Sequence, residues 1–155
     1  MTAYSNVLLV EDDPNDVFLV RRAFEKSKLS SVIHVAKDGE EAIAFLSGAG
    51  QYRDRKRFPL PVLVLLDLKL PRKSGFDVLD WLRREPVLKR LPVVILTSSR
   101  EVKDIDKAYD VGANSYLVKA ADPLGMADLT GIIDRYWIVL NQKPSLLPSP
   151  EHLHE

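Results

Sequence analysis

Apolar runs and stretches of helical period alternate along the chain. Val7 to Val10, Val62 to Leu66 and Val93 to Leu96 are short, nearly unbroken runs of Val, Leu and Ile. Such runs suit strands buried on both faces, as in a parallel sheet. Val32 to Ala36 and Ser115 to Val118 are weaker strand candidates of similar length. Between them, Val17, Val20 and Phe24 share one helical face, and Asp13-Pro14 in front reads as an N-cap followed by proline at N1. Ala42, Phe45 and Leu46 form the next stripe, preceded by Asp38 and Glu41 at capping-box spacing. Ser74 and Asp77 repeat that spacing ahead of Phe76, Leu79 and Leu82, and Ser98 and Glu101 do so ahead of Val102, Ile105 and Tyr109. A last helix carries Leu129, Ile132, Ile133, Tyr136 and Leu140, with Asp122-Pro123 at its start.

A strand followed by a helix, five times over, implies right-handed crossovers and helices on both faces of a sheet. The expected fold is α/β: a doubly wound, five-stranded parallel sheet with five helices. A closed barrel would need eight strands. One folded unit is expected over residues 5–141, with 142–155, rich in Pro and Ser, as an extended or disordered tail. The basic connection at 50–59 (GQYRDRKRFP) reads as a solvated loop through Arg53, Arg55, Lys56 and Arg57. His152 and His154 read as tail residues rather than a metal site, and Met126 as helix filler.

Composition narrows the chemistry. Lys+Arg 22 against Asp+Glu 22 gives a formal net charge of zero, which argues against a nucleic-acid binder. With no cysteine there is neither a disulfide framework nor a thiol nucleophile. No apolar run reaches the roughly 20 residues of a spanning helix, and a basic leader is absent, so a cytoplasmic protein is expected.

In open α/β sheets ligands bind beyond the carboxyl ends of the strands. There the sequence places Glu11, Asp12 and Asp13 after the first apolar run, Asp67 after the third, Thr97 and Ser98 after the fourth, and Lys119 after the fifth. Asp13, followed by proline, is assigned to the helix cap, which leaves Glu11, Asp12 and Asp67 as a carboxylate cluster. Packed carboxylates repel unless a cation sits among them. A hard divalent ion such as Mg²⁺, taking one or two carboxylates with phosphate oxygens, relieves that repulsion. Lys119 and Thr97 suit phosphoryl oxygens. The pattern points to a phosphoryl group beside a metal, with a carboxylate as nucleophile.

These stretches, VLLVEDDP, VLLDLKLPRKSGFDVL, LPVVILTSS and GANSYLVK, closely resemble the receiver domain of bacterial response regulators, from about Val7 to Leu140. Thirty residues separate Asp67 from Thr97, and twenty-two separate Thr97 from Lys119, as in receivers. The resemblance implies that Asp67 is the phosphoacceptor, and that Glu11, Asp12, Asp67 and the backbone carbonyl of Lys69 hold Mg²⁺. It also makes Thr97 the switch hydroxyl, Tyr116 the aromatic that follows it, and Lys119 the phosphoryl's cation. Lys69 and Ser99 would tune hydrolysis. Such a protein accepts its phosphoryl group from a sensor histidine kinase and assists its own modification, rather than acting as an enzyme on other substrates. With no attached output expected, its downstream partner would be a protein.

One departure stands out. Receivers normally carry proline after the site lysine, often through a cis bond; here Ala120 and Ala121 follow Lys119. The departure implies either a trans loop with Lys119 displaced or a strained cis bond. The connection at 50–59, the phrase DLKLPRKSGF, the TSS after the fourth strand and Tyr136-Trp137 are similar to the small receivers paired with phytochrome-type kinases. That subfamily implies a homodimer through the C-terminal face, with Tyr136 and Trp137 as dimer or tail contacts. The alternative is a receiver-like module that binds partners without phosphorylation. A flavodoxin-like cofactor binder would want a Gly- and hydroxyl-rich loop where EDDP stands, and an aspartate-nucleophile phosphatase a second Asp where Lys69 stands.

Overall fold

The computed structural model describes residues 5–26 and 31–146. Five parallel strands form one sheet: β1 (Ser5–Val10), β2 (Ser31–Ala36), β3 (Leu63–Leu66), β4 (Val93–Thr97) and β5 (Ser115–Val118), in the order β2-β1-β3-β4-β5. Five α-helices alternate with them: α1 (Pro14–Lys26), α2 (Gly39–Ser47), α3 (Gly75–Arg84), α4 (Val102–Val111) and α5 (Pro123–Ile133). This is the doubly wound architecture expected from the alternation.

The unbroken apolar runs occupy the inner strands, where both faces are covered. Successive β1 residues alternate between two cores. Leu8 and Val10 pack with Phe45, Leu79 and Ala108 under α2, α3 and α4, while Val7 and Leu9 pack with Val20, Phe24, Met126 and Ile133 under α1 and α5. The chain reverses direction across the sheet between β1 and β3, and the crevice beyond that switch point is where a ligand fits.

The helix starts are written in polar side chains. The Asp13 carboxylate accepts from Asn15 N at 2.8 Å, Asp38 from Glu41 N at 2.7 Å and Asp122 from Gly125 N at 2.7 Å. Ser74 and Asp77 close a full capping box. The start expected at Ser98 is corrected. The fourth helix begins at Val102, Ser98 is exposed, and buried Ser99 turns inward, donating to Asp104 at 2.6 Å and accepting from Glu101 N at 3.3 Å. Val102, Ile105 and Tyr109 lie on α4 as expected, with Val102 and Tyr109 on its surface and Ala108 buried. A small residue there lets the helix lie close to the sheet.

Two further segments differ from expectation. In the connection at 50–59, Arg53, Lys56 and Arg57 are exposed, but Arg55 is tucked inward. Its guanidinium donates to the Phe45 and Leu46 carbonyls at 2.7 and 2.8 Å, satisfying oxygens that the end of α2 leaves open. After Ile133 the last helix widens into π-helical turns over Asp134–Leu140, burying Ile138 and exposing Tyr136, Val139 and Leu140. Ile132, Tyr136 and Leu140 therefore face outward rather than into the core. Beyond them, residues 142–146 carry no regular secondary structure. Arg90 bonds the Ser145 carbonyl, and Leu146 packs against the core under α2 and α3. His152 and His154 lie outside the described residues. Among the described residues no helix is long and apolar enough to cross a membrane.

Candidate functional site

The site is assembled where the apolar runs stop. β1 ends into Glu11 and Asp12, β3 into Asp67, and β5 into Lys119, while Thr97 closes β4. Parallel pairing brings these ends level: Val10 pairs with Leu66, and Asp67 N donates to the Val10 carbonyl at 3.1 Å. Lys119 N donates to the Thr97 carbonyl at 2.8 Å, which sets the root of the lysine beside β4. Gly75, the first residue of α3, lies against the Asp67 carbonyl; a Cβ there would come within 2.1 Å of that oxygen. Only glycine allows this helix to close behind the aspartate.

The Lys119 ammonium is the hub. It donates to Asp67 Oδ2 at 2.7 Å, to Asp16 Oδ2 at 2.9 Å and to Glu11 Oε1. Every peptide bond among the described residues is trans, the one between Lys119 and Ala120 included, yet the lysine points into the site. Neither alternative drawn from the missing proline is found: the bond is trans and Lys119 is not displaced, its ammonium held by three carboxyl groups.

Electrostatics follow from burial and crowding. Burial, followed by the neighbouring Asp67, pushes the Glu11 carboxyl well above the usual carboxylate range. Burial alone would raise Asp67 as well, but its bonds to Glu11 and Lys119 outweigh that and hold it low. Desolvation would depress the Lys119 ammonium, and its three carboxylate partners instead push it upward. Against one ammonium stand the carboxyl groups of Glu11, Asp12, Asp16 and Asp67, an excess of negative charge.

Carboxylate oxygens of Glu11, Asp12 and Asp67 all lie within 4.8 Å of one another. Glu11 Oε2 is buried and has no hydrogen-bond partner among the described residues. An orphaned carboxyl oxygen in a crowded acidic oxygen cluster suits a hard divalent cation, so the residues present fit one. Asp12 is exposed, which leaves the cluster open to solvent. Lys69 is exposed as well, its backbone N–H 3.4 Å from Asp67 Oδ1.

Thr97 is fully buried, and its hydroxyl also lacks a partner among the described residues. A buried hydroxyl left unbonded costs about 1–3 kcal/mol, so it stands ready for an acceptor arriving at the site. Tyr116 lies half-buried against the core under α3 and α4, its hydroxyl donating to the Ser99 carbonyl at 3.0 Å. Tyr136 and Trp137 are remote from this cluster. Their rings meet edge to face, with Trp137 packed on the core under α1 and α5 and Tyr136 exposed.

The sequence did not single out Asp16. An acid at the third position of a helix ordinarily answers the helix dipole, and that reading hides its bond to Lys119. Its place on the first turn of the helix that follows the β1 end was the available signal.

Comparison with known proteins agrees with this geometry. The response regulator receiver domain family matches residues 7–130. Response regulator Rcp1 of Synechocystis sp. is 36% identical over 132 residues, covering 85% of this chain and 88% of that protein. The crystal structure of the phosphorylated cyanobacterial phytochrome response regulator RcpA superposes with a TM-score of 0.87 at 35% identity, over 92% of this chain and all of that one. The Mn²⁺-bound form of Rcp1 gives a TM-score of 0.83 at 35% identity, over 91% and 99%.

Proposed function

The chain belongs to the response regulator receiver family, and from that premise we propose that it relays a signal by carrying a phosphoryl group on Asp67. The donor is a phosphohistidine on a sensor kinase, of phytochrome type by analogy with the relatives, acting in the cytoplasm. A Mg²⁺ ion bound by Glu11, Asp12, Asp67 and the Lys69 carbonyl would supply charge neutralisation at the phosphoryl oxygens.

An Asp67 carboxylate oxygen attacks phosphorus in line, and the bond to the histidine nitrogen breaks as the new oxygen–phosphorus bond forms. The electron pair of the broken bond stays on the imidazole. Lys119, already 2.7 Å from Asp67 Oδ2, meets negative charge on the equatorial oxygens. The unpartnered Thr97 hydroxyl donates to one of those oxygens and moves toward it. That movement frees space beside Tyr116, whose rearrangement changes the surface of α4, β5 and α5. The altered surface is read by a downstream protein, and the C-terminal face around Tyr136 and Trp137 joins two copies in a homodimer.

The observation that carries this reading is the buried Asp67 carboxylate held between the Lys119 ammonium and the orphaned Glu11 oxygen. Intact mass after incubation with acetyl phosphate and Mg²⁺ tests it. Wild type gains one phosphoryl group, and Asp67→Asn gains none. Absence of any gain on wild type, beside a competent receiver as control, would favour the phosphorylation-independent module instead.

A further inference from the structure

Lys119 has three ammonium protons and three carboxylate partners, and these partners do not have equal standing through a phosphorylation cycle. Glu11 and Asp67 belong to the oxygen cluster that fits a cation, and Asp67 loses its charge when it is esterified. Asp16 lies outside that cluster. It stands on the first turn of α1, a quarter exposed, and contacts the site through Lys119 at 2.9 Å. Of the lysine's three carboxylate partners it is therefore the one that is neither among the oxygens that fit a cation nor the phosphoacceptor.

We propose that Asp16 is a positioning residue for phosphoryl transfer, holding the Lys119 ammonium at the site while its other two partners are engaged by the cation and the phosphoryl group. The inference rests on Asp67 being the phosphoacceptor. The lysine projects from β5 on a flexible four-carbon stem, and freezing such a chain costs up to about 2 kcal/mol of rotamer entropy. A fixed carboxylate on a neighbouring helix meets that cost before the donor arrives, which is pre-organisation.

The test compares phosphorylation by acetyl phosphate at saturating Mg²⁺ in wild type, Asp16→Ala, Asp16→Asn and Asp16→Glu, each also in a Lys119→Ala background. Asp16→Ala is expected to slow phosphorylation about tenfold, the order of one charge-assisted hydrogen bond. Asp16→Asn should fall between it and wild type, and Asp16→Glu should recover part of the rate. Mg²⁺ affinity, read by isothermal titration calorimetry, should stay within about twofold of wild type, because Asp16 is not among the proposed ligands. In the Lys119→Ala background the same substitutions should have no further effect, a result that a purely structural role for Asp16 would not give. An unchanged or faster rate in Asp16→Ala, with wild type phosphorylated normally, would overturn this inference and leave the phosphoacceptor reading intact. Failure of wild type to be phosphorylated would overturn both.

Discussion

His34, on the edge strand β2, illustrates how one side chain ties stability to pH. Its ring lies against Phe45 and Phe58, centroids 5.3 and 6.2 Å away, and its Nε2 is buried with no hydrogen-bond partner among the described residues. Burial, helped by the Arg21 charge, holds the imidazole below its ordinary value of 6.5. The unfolded chain therefore takes the proton more readily than the folded one. Stability from this group is complete above about pH 6.5 and is lost as pH falls toward the folded value. Thermal unfolding should show wild type losing stability as pH falls from about 7.5 to 5.5, and His34→Phe losing less over the same interval. Equal pH slopes in the two proteins would rule the histidine out as a source of that dependence. The ring is hard to judge from sequence because its neighbours come from α2 and the connection at 50–59. Glu11, Asp12, Asp67, Thr97 and Lys119 were legible for the opposite reason: each sits where an apolar run stops, a place that sequence marks directly.

The elements were legible to the extent that their ends are capped locally. Asp13, Asp38, Ser74 and Asp122 all act within their own first turn, so spacing alone revealed them. The fourth helix was misplaced at its start because Ser99 spends its hydroxyl on Asp104 and the turn before the helix, while Tyr116 from the next strand bonds the Ser99 carbonyl. Those bonds tie the loop between β4 and α4 to β5, and sequence shows no such long-range partner. Long-range polar ties matter elsewhere too. Arg83, near the end of α3, donates to the carbonyls of Gly112, Lys89 and Leu91 at 2.8, 2.9 and 2.8 Å, and to Asn114 Oδ1 at 2.9 Å. Asn114 Oδ1 in turn accepts from Val93 N, so one guanidinium joins the end of α3, the end of α4 and the start of β4. Arg83→Ala should lower the stability of the fold by about 3 kcal/mol, since two part-buried carbonyls and two exposed acceptors lose a charged donor together. Arg83→Lys should recover little of that, because an ammonium lacks the planar fork. Denaturant unfolding of the three proteins measures both differences, and a loss below about 1 kcal/mol for the alanine variant would mean that water replaces the guanidinium.

At the scale of the whole molecule, what the two cores leave uncovered is as informative as what they bury. Tyr136 is 53% exposed, Ile132 64% and Leu140 57%, and they sit on α5 and its π-helical continuation. Beside them runs a groove lined by Ser115, Leu117, Ile133 and Trp137. Sequence periodicity placed Ile132, Tyr136 and Leu140 on one helix without assigning the side they face, because a stripe that faces a second copy has the same spacing as one that faces the sheet. A standard stable interface buries about 800 Å² on each partner, and apolar and aromatic side chains that exclude water dominate its energy. If this face joins two copies, a charge placed in its centre must be desolvated on association and will break the dimer. Ile132→Glu and Tyr136→Glu should each convert a dimeric wild type to monomer, as read by light scattering coupled to size exclusion. Neither residue touches Asp67, Lys119 or the carboxylate cluster, so phosphorylation by acetyl phosphate should proceed at the wild-type rate in both. A dimer that survives both substitutions but falls to Val102→Glu or Tyr109→Glu would instead place the contact on α4, whose outward apolar residues are the competing surface.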